Sequence, residues 1–161
     1  MVDSLKVKGL ITGSVIPPRR VYGMDCIFCK IVAGQIPAIK VFEDEETLVF
    51  MDINPRSDGH CLIIPKRHYP TIFDIPEKDL LTVMGTSKKV AMAIKEALKP
   101  EGMIIYQLNG KVARQLVDHF HIHLVPQWEK TGADLKHGRD PGDLEKIKAT
   151  GARITAALGF N

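Results

Sequence analysis

The nine residues Asp118-His119-Phe120-His121-Ile122-His123-Leu124-Val125-Pro126 constrain the fold more than any other part of this 161-residue chain. Three of its six histidines alternate there with apolar residues, and a period of two is that of a β-strand, whose successive side chains point to opposite faces. His119, His121 and His123 are therefore expected on one face of a strand from Asp118 to Pro126, with Phe120, Ile122 and Leu124 facing a core. Same-face neighbours on a regular strand lie roughly 6.6–7 Å apart, so two adjacent imidazoles can share one ion, whereas His119 and His123, about 13 Å apart, cannot. Surface histidines, a two-histidine metal site and a division of labour along the strand all fit this spacing. The last suits phosphoryl or nucleotidyl transfer. One neutral imidazole attacks phosphorus while a neighbour protonates the leaving group or holds an oxygen, and no catalytic metal is needed.

Around this strand, short apolar runs alternate with turn residues. Ile27, Phe28, Ile31 and Val32 form one or two helical turns that end at Gly34 and Pro37. The runs Ile39–Glu43, Thr47–Met51 and His60–Pro65 read as consecutive antiparallel strands. Between Pro76 and Lys99 the period lengthens to that of a helix, with Glu77 and Asp79 at its positive end and Pro100 and Gly102 beyond its last turn. A strand from Met103 to Asn109 precedes the histidine strand, and a closing helix is expected from Asp143 to Leu158. This order indicates an α+β domain built on an antiparallel β-sheet with one long helix. The length suits one domain with a single active centre. No apolar stretch reaches the roughly 18 residues that a membrane-spanning helix needs.

Charge and cysteine usage narrow the partners. The formal net charge is +3, and Lys6, Lys8, Arg19 and Arg20 against Asp3 account for all of it. Residues 1–23, which carry no sustained period and run into Pro17-Pro18-Arg19-Arg20, are expected to form an extension, disordered or added by a start assigned upstream of Met24. The remainder is formally neutral, so nucleic acid is not an expected partner. Three cysteines, Cys26, Cys29 and Cys61, cannot form a complete disulfide framework, and the N-terminal segment lacks a secretory signal. A reducing, cytoplasmic location is expected. Cys26 and Cys29 form a C-x-x-C pair that fits a zinc chelate, a redox pair or chance. Cys61 reads as a small core residue.

The run His119-Phe120-His121-Ile122-His123-Leu124-Val125 resembles the signature of the histidine triad (HIT) superfamily of nucleotide hydrolases and transferases. The likeness extends in order through Asp25-Cys26-Ile27-Phe28-Cys29-Lys30-Ile31, Phe50-Met51-Asp52-Ile53-Asn54-Pro55, Gly59-His60 to His68, and Asn109-Gly110 with Gln115 and Val117. It covers a HIT-like domain at residues 24–128, leaving a tail of 129–161, and is strongest to the Hint-like nucleoside phosphoramidases. The resemblance implies catalytic roles for His121 as nucleophile on an adenosine nucleotide's α-phosphorus, for His123 as phosphate ligand and for His60 beside them. It implies a nucleotide site of Asp52 on the ribose, Phe50 and Ile53 around the base, and Asn109, Gln115 and Val117. It also implies release of AMP from phosphoramidates through a covalent nucleotidyl-histidine. Cleavage of dinucleoside polyphosphates and a binding module with little turnover are the alternatives.

The same resemblance completes the cysteine pair with His68 and His119, giving a structural zinc held by Cys26, Cys29, His68 and His119, and no organic cofactor. It further implies a homodimer formed through the long helix and the strand from about Met103, with the sheet continued across the interface. The chain departs from the family at Ala113-Arg114-Gln115-Leu116-Val117, where a glycine is usual at position 114 and a small or polar residue at 116. Arg114 either reroutes the loop or brings a guanidinium to the phosphate. Leu116 cannot donate a hydroxyl hydrogen bond. Both bear on rate and on leaving-group preference. Gln127 also departs from the pattern, and His137 reads as a loop residue.

Overall fold

The computed structural model describes residues 25–129 and 141–159, so the 1–23 extension and His137 lie outside the described residues. In chain order the elements are α1 (Ile27–Val32), β1 (Lys40–Glu43), β2 (Thr47–Met51), β3 (Cys61–Pro65), α2 (Glu77–Leu98), β4 (Gly102–Gln107), a 3-10 turn (Lys111–Ala113), β5 (Ile122–Gln127) and α3 (Leu144–Leu158). The expected α+β architecture is present, with five antiparallel strands in the order β1-β2-β3-β5-β4. The histidine strand is shorter than its alternation implies. β5 begins at Ile122, opposite Ile63 of β3 and Gln107 of β4. His119 and His121 precede it, in a segment tied down by the Phe120 amide on the Tyr69 carbonyl at 2.6 Å. The cause lies in β3, where Pro65 has no N–H to extend a ladder, and the His119 imidazole, rather than a strand partner, takes its carbonyl.

Strands β2 and β3 are buried along their whole length. Such strands read as continuous apolar runs because both faces are covered. On one face Val49, Met51, Cys61, Ile63, Ile122 and Leu124 meet Val83, Val90, Ala93 and Ile94 of α2 and Ile147, Ile154 and Ala157 of α3. On the other, Leu48, Phe50, Leu62 and Ile64 pack against Phe28 and Ile31 of α1. Helix α2 stops at Lys99, whose φ of 51° is left-handed, and Pro100 then bars continuation. Among the described residues no helix is long and apolar enough to cross a membrane.

The long helix and the short one thus cover opposite sides of the histidine-bearing sheet, and α3 closes the main core beside α2. Strand β4 lies at the sheet edge, with Ile105 exposed. Of the α3 side chains in the core, Ile154 is fully buried. Ile154→Ala is expected to lower unfolding free energy by about 2–5 kcal/mol, measured by urea denaturation.

Candidate functional site

Four side chains from three separated segments meet beneath α1. Cys26 caps its N-terminus, Cys29 lies within it, His68 follows β3 and His119 precedes β5. The His119 Nδ1 is 3.5 Å from Cys26 Sγ, 3.6 Å from Cys29 Sγ and 3.3 Å from His68 Nδ1, and Cys29 Sγ is 3.3 Å from His68 Nδ1. A tetrahedral zinc with bonds of ~2.05 Å to nitrogen and ~2.3 Å to sulfur has edges of about 3.3 Å between nitrogens and about 3.6 Å between nitrogen and sulfur. The cluster has these dimensions. The donor state fits as well. His119 Nε2–H donates to the Pro65 carbonyl at 2.8 Å, leaving a lone pair on Nδ1 turned toward the thiols. Burial, with smaller contributions from His68 and His121, pushes the His119 pKa down to about 4, so the ring is neutral. The residues therefore suit a closed four-ligand metal site, which has no open position for water.

The other two triad histidines face a different space. All three are almost completely buried, at 0%, 4% and 4% exposure for His119, His121 and His123. Burial of imidazoles at this depth requires partners for their ring nitrogens. His121 Nδ1–H donates to the backbone carbonyl of His119 at 2.6 Å, which places its lone pair on Nε2. The Phe28 and His121 rings meet nearly at right angles with centroids 5.2 Å apart, and the His123 ring lies 4.8 Å from that of His121. His123 Nδ1 is 2.9 Å from His60 Nε2, and Asp52 Oδ2 is 3.5 Å from His60 Nδ1. His60 and Asp52 belong to the turn between β2 and β3, where the Asp52 amide is hydrogen-bonded to the His60 carbonyl.

His121 and His123 form one wall of a cavity of about 280 Å3, and Phe50, Asp52, Ile53, Leu62, Leu108, Arg114, Leu116 and Val117 contribute to the others. This is near the lower end of the ~300–1,000 Å3 common for small-molecule sites, and like them it is mostly apolar with a few converging polar groups. Two residues expected at a nucleotide do not reach its wall. Asn109 is spent on loop structure, accepting from the Ile72 amide at 2.7 Å and donating to Gln107 at 2.5 Å. Gln115 is buried and ties the Gly110 amide to the Pro70 and Val117 carbonyls. Leu108 stands in the wall instead. Arg114, at φ 65°, occupies the left-handed region that costs a side chain ~1–2 kcal/mol, a conformation that glycine adopts freely, and it contributes to the cavity wall. Cys61 is fully buried, and its thiol is pushed up to about 12 by burial, which makes it inert.

Sequence reasoning missed Tyr106 and Arg56. Tyr106 is the β4 residue paired with His123 and stacks on it with centroids 4.2 Å apart at 10° between planes. Nothing in an isolated β4 sequence reveals which residue of β5 it will oppose.

The HIT domain family profile matches residues 33–130, and the triad, the fourth histidine and the sheet that carries them fall within it. The chain belongs to the HIT family. An uncharacterised HIT-like protein of Methanocaldococcus jannaschii is 44% identical over 76% of this chain and 95% of its own length. Adenosine 5'-monophosphoramidase hnt1 of Schizosaccharomyces pombe is 39% identical over 84% of this chain and 99% of its own. A solved zinc-bound histidine triad family protein of Mycobacterium smegmatis is 37% identical, with a TM-score of 0.75 and coverage of 85% of this chain and 95% of that one. In this HIT chain the cysteine–histidine cluster and the cavity share one residue, His119, whose side chain serves the first and whose carbonyl serves the second.

Two outcomes follow for the cluster. Prolonged chelation is expected to lower the melting temperature, and Cys26→Ser to reproduce that loss without chelator, as read by calorimetry alongside metal analysis. In metal-free protein the neutral His119 stays unprotonated in the folded state while an unfolded histidine takes a proton near pH 6.5. Stability is therefore present above pH 6.5 and lost as pH falls toward 4, by up to about 3 kcal/mol, which denaturation of the chelated protein across that range measures.

Proposed function

We propose that this HIT protein is a nucleotide hydrolase that attacks the α-phosphate of an adenosine nucleotide through His121, releasing AMP from phosphoramidates or related AMP-X substrates. The observation that carries the reading is the hydrogen bond from His121 Nδ1–H to the His119 carbonyl, which leaves the lone pair on Nε2 of a ring that lines the cavity. In this reading Nε2 forms a bond to phosphorus as the bond to the leaving group breaks, and water then hydrolyses the nucleotidyl-histidine. His123 holds a phosphate oxygen, where a hydrogen bond strengthens as charge develops. His60 supports His123. Asp52, acceptor-only when ionised, reads the ribose hydroxyls, and Phe50, Ile53 and Val117 surround the base. Asn109 and Gln115 act by holding the loop that carries Arg114 and Leu116, not by touching the nucleotide. The name of the fission-yeast relative supports the substrate class.

Zinc, when bound at Cys26, Cys29, His68 and His119, supplies a cross-link between α1 and the triad segment, and the solved zinc-bound relative supports that identity. Dimerisation through α2 and β4 is part of the same proposal, supported by the edge position of β4 and by exposed Ile105, Met84 and Met92. Dinucleoside polyphosphates form a second reading, favoured by Arg114 in the cavity wall, where its cation would meet the additional phosphates.

The deciding measurement is hydrolysis of adenosine phosphoramidate by purified protein. His121→Ala is expected to lower kcat by at least ~10^3-fold while AMP binding persists in calorimetry. Binding of AMP by both proteins with turnover by neither would leave a binding module.

A further inference from the structure

His123 is held from two sides by groups that converge on one residue. Along its edge, the Arg56 amide donates to His60 Nδ1 at 3.3 Å, and His60 Nε2 lies 2.9 Å from His123 Nδ1. A backbone amide is always a donor, so His60 Nδ1 is the acceptor nitrogen and its proton sits on Nε2. That proton is given to His123 Nδ1, and the His123 proton is left on Nε2, the nitrogen needed for donation to a phosphate oxygen. The opposite arrangement, with the His60 proton on Nδ1 toward Asp52, would set two hydrogens against each other at the Arg56 amide.

Across its face, Tyr106 stacks on His123 at 4.2 Å, and the Arg56 guanidinium covers the Tyr106 ring 4.8 Å from its centroid. A ring face admits one such neighbour, so Tyr106 is sandwiched between cation and imidazole. The Tyr106 hydroxyl and Arg56 Nε are buried without a hydrogen-bond partner among the described residues. What the two side chains offer His123 is therefore the ring face of one and, behind it, the cation of the other, rather than a hydrogen bond from either atom.

We infer that Arg56 and Tyr106 are positioning residues for His123, Arg56 setting its tautomer through His60 with the backbone amide and, with Tyr106, fixing its ring plane. This rests on the nucleotidyl-transfer reading for its kinetic consequence, but not for its spectroscopic one. The ring of residue 106 matters and its hydroxyl does not. The charge of residue 56 matters, and any residue with an amide keeps the tautomer.

The test combines imidazole 15N spectra of the full chain with kinetics on adenosine phosphoramidate. Wild-type His60 and His123 are expected as Nε2–H tautomers. Tyr106→Phe and Arg56→Lys should preserve both spectrum and rate. Tyr106→Val should lower kcat about tenfold, in line with the cost of small misplacements, with KM within about twofold, and should broaden the His123 ring resonances, as expected of a ring no longer held in one plane, while the amide spectrum stays folded. Arg56→Gln, which keeps the amide, should lower kcat by less and leave the tautomers unchanged; it decides the matter if Tyr106→Val does not fold. A wild-type His123 protonated at Nδ1, or Tyr106→Val with unchanged kcat and spectrum, overturns the inference. Absence of wild-type turnover overturns the functional reading instead, and the spectra alone then decide this one.

Discussion

Everything in the site depends on three imidazoles being taken out of water on one short stretch of chain. A buried ring nitrogen without a partner costs about 1–3 kcal/mol, so the surroundings of the row are built from acceptors and donors placed to meet it. The Pro65 carbonyl takes His119, the His119 carbonyl takes His121, and His60 meets His123. Each of these contacts also chooses a tautomer. Satisfying the hydrogen-bonding demand and preparing the rings for chemistry are one operation.

That demand explains the layering. An imidazole row on an exposed face would titrate and reorient with solvent. Here α1 lies over it, and Phe28 makes T-shaped ring contacts with both His119 and His121. Six residues of helix have little intrinsic stability. Phe28 and Ile31 pack α1 onto the sheet, and the Cys26–Cys29–His68–His119 cluster brings it against the triad segment and the chain beyond β3. The opposite face carries the larger core, formed with α2 and α3, so stability and chemistry are allotted to different sides of one sheet.

Much of this was legible in the sequence because it is written in local periods. The apolar run at Thr47–Met51, the helical period through α2 and the closing helix map onto elements within a residue or two at each end. Periodicity overextended β5, since it cannot register that Pro65 on a neighbouring strand ends the ladder. Asp52, His60 and the four metal-site residues are brought together as the family resemblance implied, and their roles belong to the proposal. Asn109 and Gln115 hydrogen-bond the loop itself rather than lining the cavity, and the sequence does not show this for a definite reason. A polar side chain near a binding loop serves either the ligand or the loop's own backbone, and only the loop's path shows which groups would otherwise lack partners. Tyr106 and Arg56 were invisible because they act through cross-strand register and a turn amide, neither of which has a residue code.

The double use of His119 carries an evolutionary consequence. Its contribution to the metal cluster is a side chain and can be lost by a single substitution, whereas its contribution to His121 is a main-chain oxygen that every amino acid possesses. A descendant could therefore lose the side-chain cluster and stabilise α1 by packing alone while the His121 tautomer stayed as it is. Inheritance of the cluster and inheritance of the His121 tautomer are separable at this position, even though one residue provides for both.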